Sequence, residues 1–128
     1  MFDRLALYSP YGLALLRIVS ALLFIAHGTQ KLFGWPLAED AAPGGPLTGL
    51  RLVAGILEVF GGLALLVGFQ TRLVAFVLSG MMAVAYWMAH APHSVFPILN
   101  GGDSAILFCF VFLYLFLAGP GAWSVDKR

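Results

Sequence analysis

Hydrophobic residues fall into four long blocks along the chain, and stretches rich in glycine, proline and polar residues separate them. A helix that crosses the hydrocarbon core of a bilayer needs about 20 mostly apolar residues. The blocks therefore predict four membrane-spanning helices, at about 11–33, 48–69, 72–90 and 103–118. Because these helices use most of the chain, the pattern indicates one all-α membrane domain over residues 1–128, folded as a four-transmembrane-helix bundle in the lipid bilayer.

Composition supports a membrane protein and excludes other classes. Hydrophobic residues make up 61% of the chain and charged residues 10%, whereas a soluble domain has about 25% charged residues. The formal net charge of +1 argues against nucleic acid as a partner, which requires a basic patch. The one cysteine, Cys109, cannot form an internal disulfide.

Loop charges predict the orientation of the bundle. Four spans place both termini on the same side of the membrane, together with the turn between the second and third helices. Four lysines and arginines lie on that side and two on the other. The positive-inside rule then places both termini in the cytoplasm. The long segment 34–48 lies on the outer side, where its role as connector, lid or partner contact stays open.

The first helix carries a polar stripe that a lipid-facing helix would not keep. The stripe recurs about every 3.5 residues, so its members share one helix face; they are Arg17, Ser20, Phe24, His27 and Lys31. Charged side chains inside a membrane face other protein, a cavity or a ligand.

Glu58 is the acidic residue of the second helix and is flanked by glycines. With a rise of about 1.5 Å per residue, Arg17 and Glu58 differ in depth by about 7 Å. Since an isolated charge at this depth is costly, the sequence predicts a buried ion pair between Arg17 and Glu58, direct or through one water or hydroxyl. The pair has a structural role, or Glu58 relays protons or binds a substrate group.

The outer end of the bundle gathers the candidate ligand-binding residues, which are His27, Gln30, Lys31, His90 and Asp103. Lys31 could donate to a carbonyl or oxyanion, and a histidine can exchange a proton near neutral pH. In the alternative interpretation Lys31 extends to the headgroups, His27 binds a neighbouring helix and Asp103 caps the fourth helix.

A metal site is the less favoured interpretation of the same region. His90, His93, Asn100 and Asp103, joined by His27, are sufficient by residue type for a transition metal. Their spacing fits no strong signature, however, so we assign no metal.

Several short motifs occur together across the chain. They are Arg17 with His27-Gly28-x-x-Lys31-Leu32-Phe33-Gly34, Glu58-x-x-Gly61-Gly62, Thr71-Arg72, Gly101-Gly102-Asp103, and Gly119-Pro120-Gly121-x-Trp123-Ser124-x-Asp126. With these motifs the chain resembles the DoxX family of small bacterial membrane proteins, although many members have Glu where Asp103 stands. The resemblance implies a four-helix bundle in the bacterial inner membrane.

For function, the resemblance implies redox chemistry at a membrane with quinone as the recurring substrate. The chain shows no nucleotide loop, haem-attachment motif or thiol pair, so we expect no intrinsic cofactor, with quinone as a bound substrate. The expected role is a membrane subunit of a quinone-linked oxidoreductase or redox-stress system, in a homo-oligomer or with a redox partner. The alternatives are a non-catalytic scaffold for a soluble enzyme and a small oligomeric transporter.

Overall fold

The computed structural model describes residues 2–35 and 49–126, and within these ranges the protein is helical, without strands. A 3₁₀ segment, Asp3–Tyr8, leads into helix α1, Ser9–Phe33. Helix α2 spans Gly49–Val67 and α3 spans Thr71–Ala85. Most of the predicted loop 34–48 lies outside the described residues.

The end of α3 departs from regular α-helix geometry. It continues as a π-helical segment, Tyr86–His90, and a 3₁₀ turn, Ala91–His93. A one-turn helix α4, Pro97–Asn100, then precedes helix α5, Asp103–Ala118. π-Helical turns are rare and often occur at functional sites.

Helix length confirms the membrane assignment and refines the number of spans. Three helical stretches are long and apolar enough to cross a membrane: Asp3–Phe33, Gly49–Val67 and Thr71–His93. Helix α5 is apolar but has 16 residues, about 24 Å of helix, which is shorter than the hydrocarbon core of roughly 30 Å. The described bundle therefore has three helices of spanning length and a fourth, shorter apolar helix.

Glycines let α1 and α2 pack closely side by side. A Cβ built at Gly28 would lie 2.7 Å from Val59 Cγ2, and one built at Gly62 would lie 2.5 Å from Ile25 Cγ1. Small residues at such contacts allow helix backbones to approach in a membrane. The resulting antiparallel register sets Gly28 beside Glu58.

Helices α3 and α5 form a second closely packed pair, and α1 makes few contacts with α5. The two pairs meet in an apolar core that includes Phe24, Leu65, Leu78, Phe112 and Leu115, each at most 1% exposed. Because α1 and α5 barely touch, a groove remains between them on the lipid-facing surface.

After α5, residues 119–126 fold back across the end of the bundle; we call them the C-terminal return. The Ala122 N–H donates to the Pro10 carbonyl at 3.0 Å, and the Val125 N–H donates to the Val67 carbonyl at 2.9 Å. The N-terminal part of α1 and the C-terminal return therefore lie at the same end of the bundle. The cytoplasmic location of that end stays a prediction.

Candidate functional site

Arg17 is fully buried and holds the C-terminal return in place. Its Nη1 donates to the carbonyls of Pro120 and, at 3.0 Å, Ala122, and its Nη2 donates to the Trp123 carbonyl at 2.7 Å. Hydrogen bonds from a charged donor are stronger than neutral ones. Arg17 is therefore part of the architecture of the bundle end.

The predicted ion pair between Arg17 and Glu58 is wrong. The Arg17 guanidinium carbon lies near Gly68, 3.4 Å from a Cβ built there, whereas Glu58 lies beside Gly28, about 16 Å further along α1. The depth estimate failed because α1 extends beyond the end of α2. The sequence pattern also gave no sign that a folded-back segment supplies carbonyl acceptors.

Asp126 closes the same end of the bundle. Its carboxylate accepts hydrogen bonds from the backbone N–H groups of Gln70 at 2.7 Å and Thr71 at 2.8 Å. Burial raises the pKa of Asp126, but the hydrogen bonds from Thr71 and Gln70 and the charge of Arg17 outweigh it, so the pKa lies below its usual value. A carboxylate also suits this position because it lies at the positive N-terminus of α3.

Glu58 forms its ion pair with Lys31, through Oε1 and Nζ. The Glu58 side chain is 2% exposed and that of Lys31 is 31% exposed, so the carboxylate is the buried partner. Its second oxygen, Oε2, accepts no hydrogen bond from any residue that the structure describes. A buried carboxylate oxygen without a donor is costly, so this oxygen marks a place where a ligand donor would be stabilising.

Lys31 and Glu58 line a cavity of about 100 Å³ together with His27 and His90. Phe24 and Phe108 are among its apolar walls. The cavity thus contains three of the predicted ligand-binding residues, His27, Lys31 and His90. It also contains Glu58, the predicted partner of Arg17.

The other two predicted ligand residues lie outside this cavity. Asp103 is exposed in the first turn of α5, where a carboxylate suits the helix dipole. The N-cap is Gly102, and no capping hydrogen bond from a side chain is described there, while the next residue, Ser104, lines the cavity. Gln30 does not line the cavity because it is turned by about 100° around α1 from Lys31. His93 is exposed, and no cluster of three or more metal-binding side chains occurs within residues 2–35 and 49–126.

Asn100, the last residue of α4, fixes the orientation of His90. His90 Nδ1 lies 3.0 Å from the Asn100 carbonyl oxygen. The Asn100 side chain donates to the Tyr86 hydroxyl at 3.2 Å and to the Ser94 carbonyl at 3.0 Å, and accepts from the Gly102 N–H at 2.8 Å. Sequence reasoning placed Asn100 near this end without assigning it this role, for which the Asn100-Gly101-Gly102 turn was the available signal.

An apolar groove of about 270 Å³ between α1 and α5 adjoins the cavity. Ser104 and Phe108 line both spaces. The Phe108 ring packs edge-on against His27, with 5.7 Å between centroids, so it separates the polar cavity from the groove. Together the two spaces are slightly larger than the lower limit of typical small-molecule sites, roughly 300 Å³. The sequence pattern did not identify Phe108, because phenylalanines occur throughout α5.

The fold and the site define a class: an integral membrane protein of apolar helices that holds a charged, aromatic-walled cavity near one end of the bundle. The DoxX family model matches residues 12–91. The chain belongs to the DoxX family, as its motifs predicted.

Relatives from two bacteria match over nearly the whole chain. A protein of uncharacterised function from Haemophilus influenzae is 41% identical over 98% of this chain and 96% of its own length. The inner membrane proteins YqjF and YphA of Escherichia coli are 32% and 30% identical, over 91% and 93% of this chain and 90% and 91% of their own lengths. No solved structure matches the chain. The protein is therefore a multi-pass inner-membrane protein.

Proposed function

We propose that the protein binds the head ring of a quinone, or of a similar small redox-active aromatic molecule, as the membrane subunit of an oxidoreductase system. The observation that carries the proposal is the cavity around the Lys31–Glu58 ion pair, which has aromatic walls and adjoins an apolar groove. Ligand sites typically combine apolar walls with a few placed polar groups.

The polar groups of the cavity suit a neutral, polar ring. Lys31 and Glu58 neutralise each other, which disfavours a ligand with a fixed charge. The Lys31 ammonium has three donors and gives one to Glu58, so others are available to a ring oxygen. Phe24 and Phe108 offer edge and face contacts to an aromatic ring.

The groove between α1 and α5 suits the apolar tail of such a ligand. Leu23 and Leu107 line it and are exposed on the surface that lipid covers. A ligand dissolved in the bilayer could therefore enter sideways, with its ring at the cavity and its tail in the groove. Movement of the Phe108 ring would join the two spaces.

A partner protein would supply the electrons. The chain carries no motif for a redox cofactor of its own, so the proposed role is to present quinone to a redox enzyme in a hetero-oligomer. The scaffold alternative differs because it requires no ligand in the cavity.

The transporter alternative receives less support. It depended on a polar path through the bundle along Arg17 and Glu58. The core between the levels of these two residues includes buried Ala21, Phe24 and Leu65, so the described residues there are largely apolar.

Filling the cavity tests the proposal. The probe is decylubiquinone, titrated by calorimetry into the purified protein in lipid nanodiscs. Ala85 lines the cavity, so we expect Ala85→Leu to weaken binding at least about tenfold, a loss of about 1.4 kcal/mol. Ala83→Leu adds the same volume on the same helix outside the cavity and should bind as the wild type does.

Two results would contradict the proposal. One is the absence of saturable binding to the wild type, which would favour the scaffold. The other is equal binding by wild type, Ala85→Leu and Ala83→Leu, which would place the probe elsewhere on the protein.

A further inference from the structure

The cavity that Glu58 lines contains a hydrogen-bond acceptor without a donor among the described residues. Glu58 Oε2 is buried and accepts no hydrogen bond from a described residue. An ionised carboxylate can only accept. A ligand next to this oxygen gains a hydrogen bond if it carries a hydroxyl, and meets lone-pair repulsion if it carries a carbonyl.

His90 presents a second acceptor. Its Nδ1 lies 3.0 Å from the Asn100 carbonyl oxygen, and because a carbonyl cannot donate, Nδ1 must carry the proton. In the neutral ring the other nitrogen, Nε2, is then an acceptor. The position of the Asn100 carbonyl therefore sets the tautomer of His90. Hydrogen bonds of the Asn100 side chain hold that residue in place.

Lys31 fits a hydroxyl as well as it fits a carbonyl. A ligand hydroxyl can accept a hydrogen bond from the Lys31 ammonium and at the same time donate one to an acceptor such as Glu58 Oε2. A ligand carbonyl can accept a hydrogen bond from Lys31 but has no proton to donate to Glu58 Oε2. The balance of groups in the cavity thus favours a ring that carries hydroxyls.

From this balance we infer that the cavity binds the reduced, dihydroxy form of its aromatic ligand, a quinol, more tightly than the oxidised quinone. This inference rests on the proposed function, since it assumes that the ring occupies the cavity. It adds that Glu58 Oε2 sets the preference between the two oxidation states.

The test compares decylubiquinone with its quinol under anaerobic conditions, by calorimetry on the purified full-length protein in nanodiscs. We expect the quinol to bind the wild type at least about tenfold more tightly, since hydrogen bonds to charged groups are the stronger ones. Glu58→Gln should reverse the preference. The Gln oxygen would accept from Lys31, and its NH₂ group, a donor, would replace the free carboxylate oxygen.

Asp103→Asn is the matched control, because it makes the same kind of change at an exposed position outside the cavity. It should retain the preference of the wild type for quinol. Equal affinity for both forms, tighter quinone binding, or an unchanged preference in Glu58→Gln would overturn the inference while the proposed function stands. If neither form binds the wild type, the proposed function fails together with the inference.

Discussion

At the scale of single residues, the central feature is that the buried Glu58 carboxylate has Lys31 as its counter-ion. Glu58 is almost completely buried, while Lys31 is partly exposed. Removing one partner of a buried ion pair leaves an uncompensated charge, which costs more than the pair contributes.

Lys31→Met should therefore destabilise the protein by about 3–5 kcal/mol, because it leaves the Glu58 carboxylate buried without a counter-ion. Reversible denaturation in mixed micelles would measure the free energy of unfolding. The double variant Lys31→Met/Glu58→Met carries no buried charge and should regain most of the lost stability. A double variant no more stable than Lys31→Met would show that the pair does not account for the effect.

Arg17 gives the matching prediction at the other end of the bundle. Arg17→Met would remove the donor for three backbone carbonyls of the C-terminal return. We expect a loss of about 3 kcal/mol or more, since each buried acceptor without a donor costs about 1–3 kcal/mol. The exposed Arg4 provides the control, and Arg4→Met should leave the melting temperature nearly unchanged.

The two residues also show what the sequence could reveal. The polar stripe identified Arg17, His27 and Lys31 as functional or structural positions, since charges inside a membrane need a reason. It could not reveal their partners, because those depend on the register in which α1 packs against α2. Arg17 lies about three turns of α1 away from the level of Glu58, so Glu58 pairs with Lys31 and Arg17 binds the C-terminal return.

At the scale of helices, glycines set the register between α1 and α2, and this register places the residues of the cavity. Gly28 lies against Glu58, and a Cβ at Gly28 would come within 2.9 Å of the Glu58 Cβ and of the Val59 backbone nitrogen. The contact includes backbone, so a side chain there would push α2 away from α1.

Gly28→Ala should consequently lower stability by about 1–3 kcal/mol, the usual cost of overpacking, and weaken quinone binding by displacing Glu58. Gly80→Ala is a matched control, because a Cβ at Gly80 meets nothing within 4 Å. Thermal unfolding and quinone titration of both variants would measure the two effects. A Gly28→Ala protein with wild-type stability and affinity would refute close α1–α2 packing at this point.

The limits of prediction are equally clear for helices. Hydrophobic blocks located the helices, because burial in lipid requires long apolar runs. They gave no sign of the π-helical segment Tyr86–His90, whose first and last residues are hydrogen-bonded to Asn100. The groove between α1 and α5 was also unforeseeable, since it results from the way in which the two helix pairs meet.

At the scale of the whole molecule, the C-terminal return ties the two helix pairs together. It contacts α1 through Pro10 and Arg17, the end of α2 through Val67 and the start of α3 through Asp126. This end of the bundle is therefore closed by polar contacts, and the cavity lies towards the opposite end.

Acid should loosen this closure. The pKa of Asp126 is lowered on folding, so its carboxylate contributes stability above the ordinary Asp pKa of about 3.9. That contribution is lost as pH falls through the lowered folded-state pKa. We expect the melting temperature of the wild type to fall as pH drops from about 5 to below 3, and the fall to be smaller in Asp126→Asn. Identical pH profiles would contradict this role.

The most direct test of the quinone-binding proposal is to map where a quinone contacts the protein. The purified protein in nanodiscs would be photolabelled with an azido-ubiquinone, and the labelled residues would be identified by peptide mass spectrometry. We expect labels around the cavity, on the peptides that contain Lys31 and Phe108, and their suppression by excess decylubiquinone. Labels confined to the other end of the bundle, or labels that excess decylubiquinone does not suppress, would contradict the proposed function.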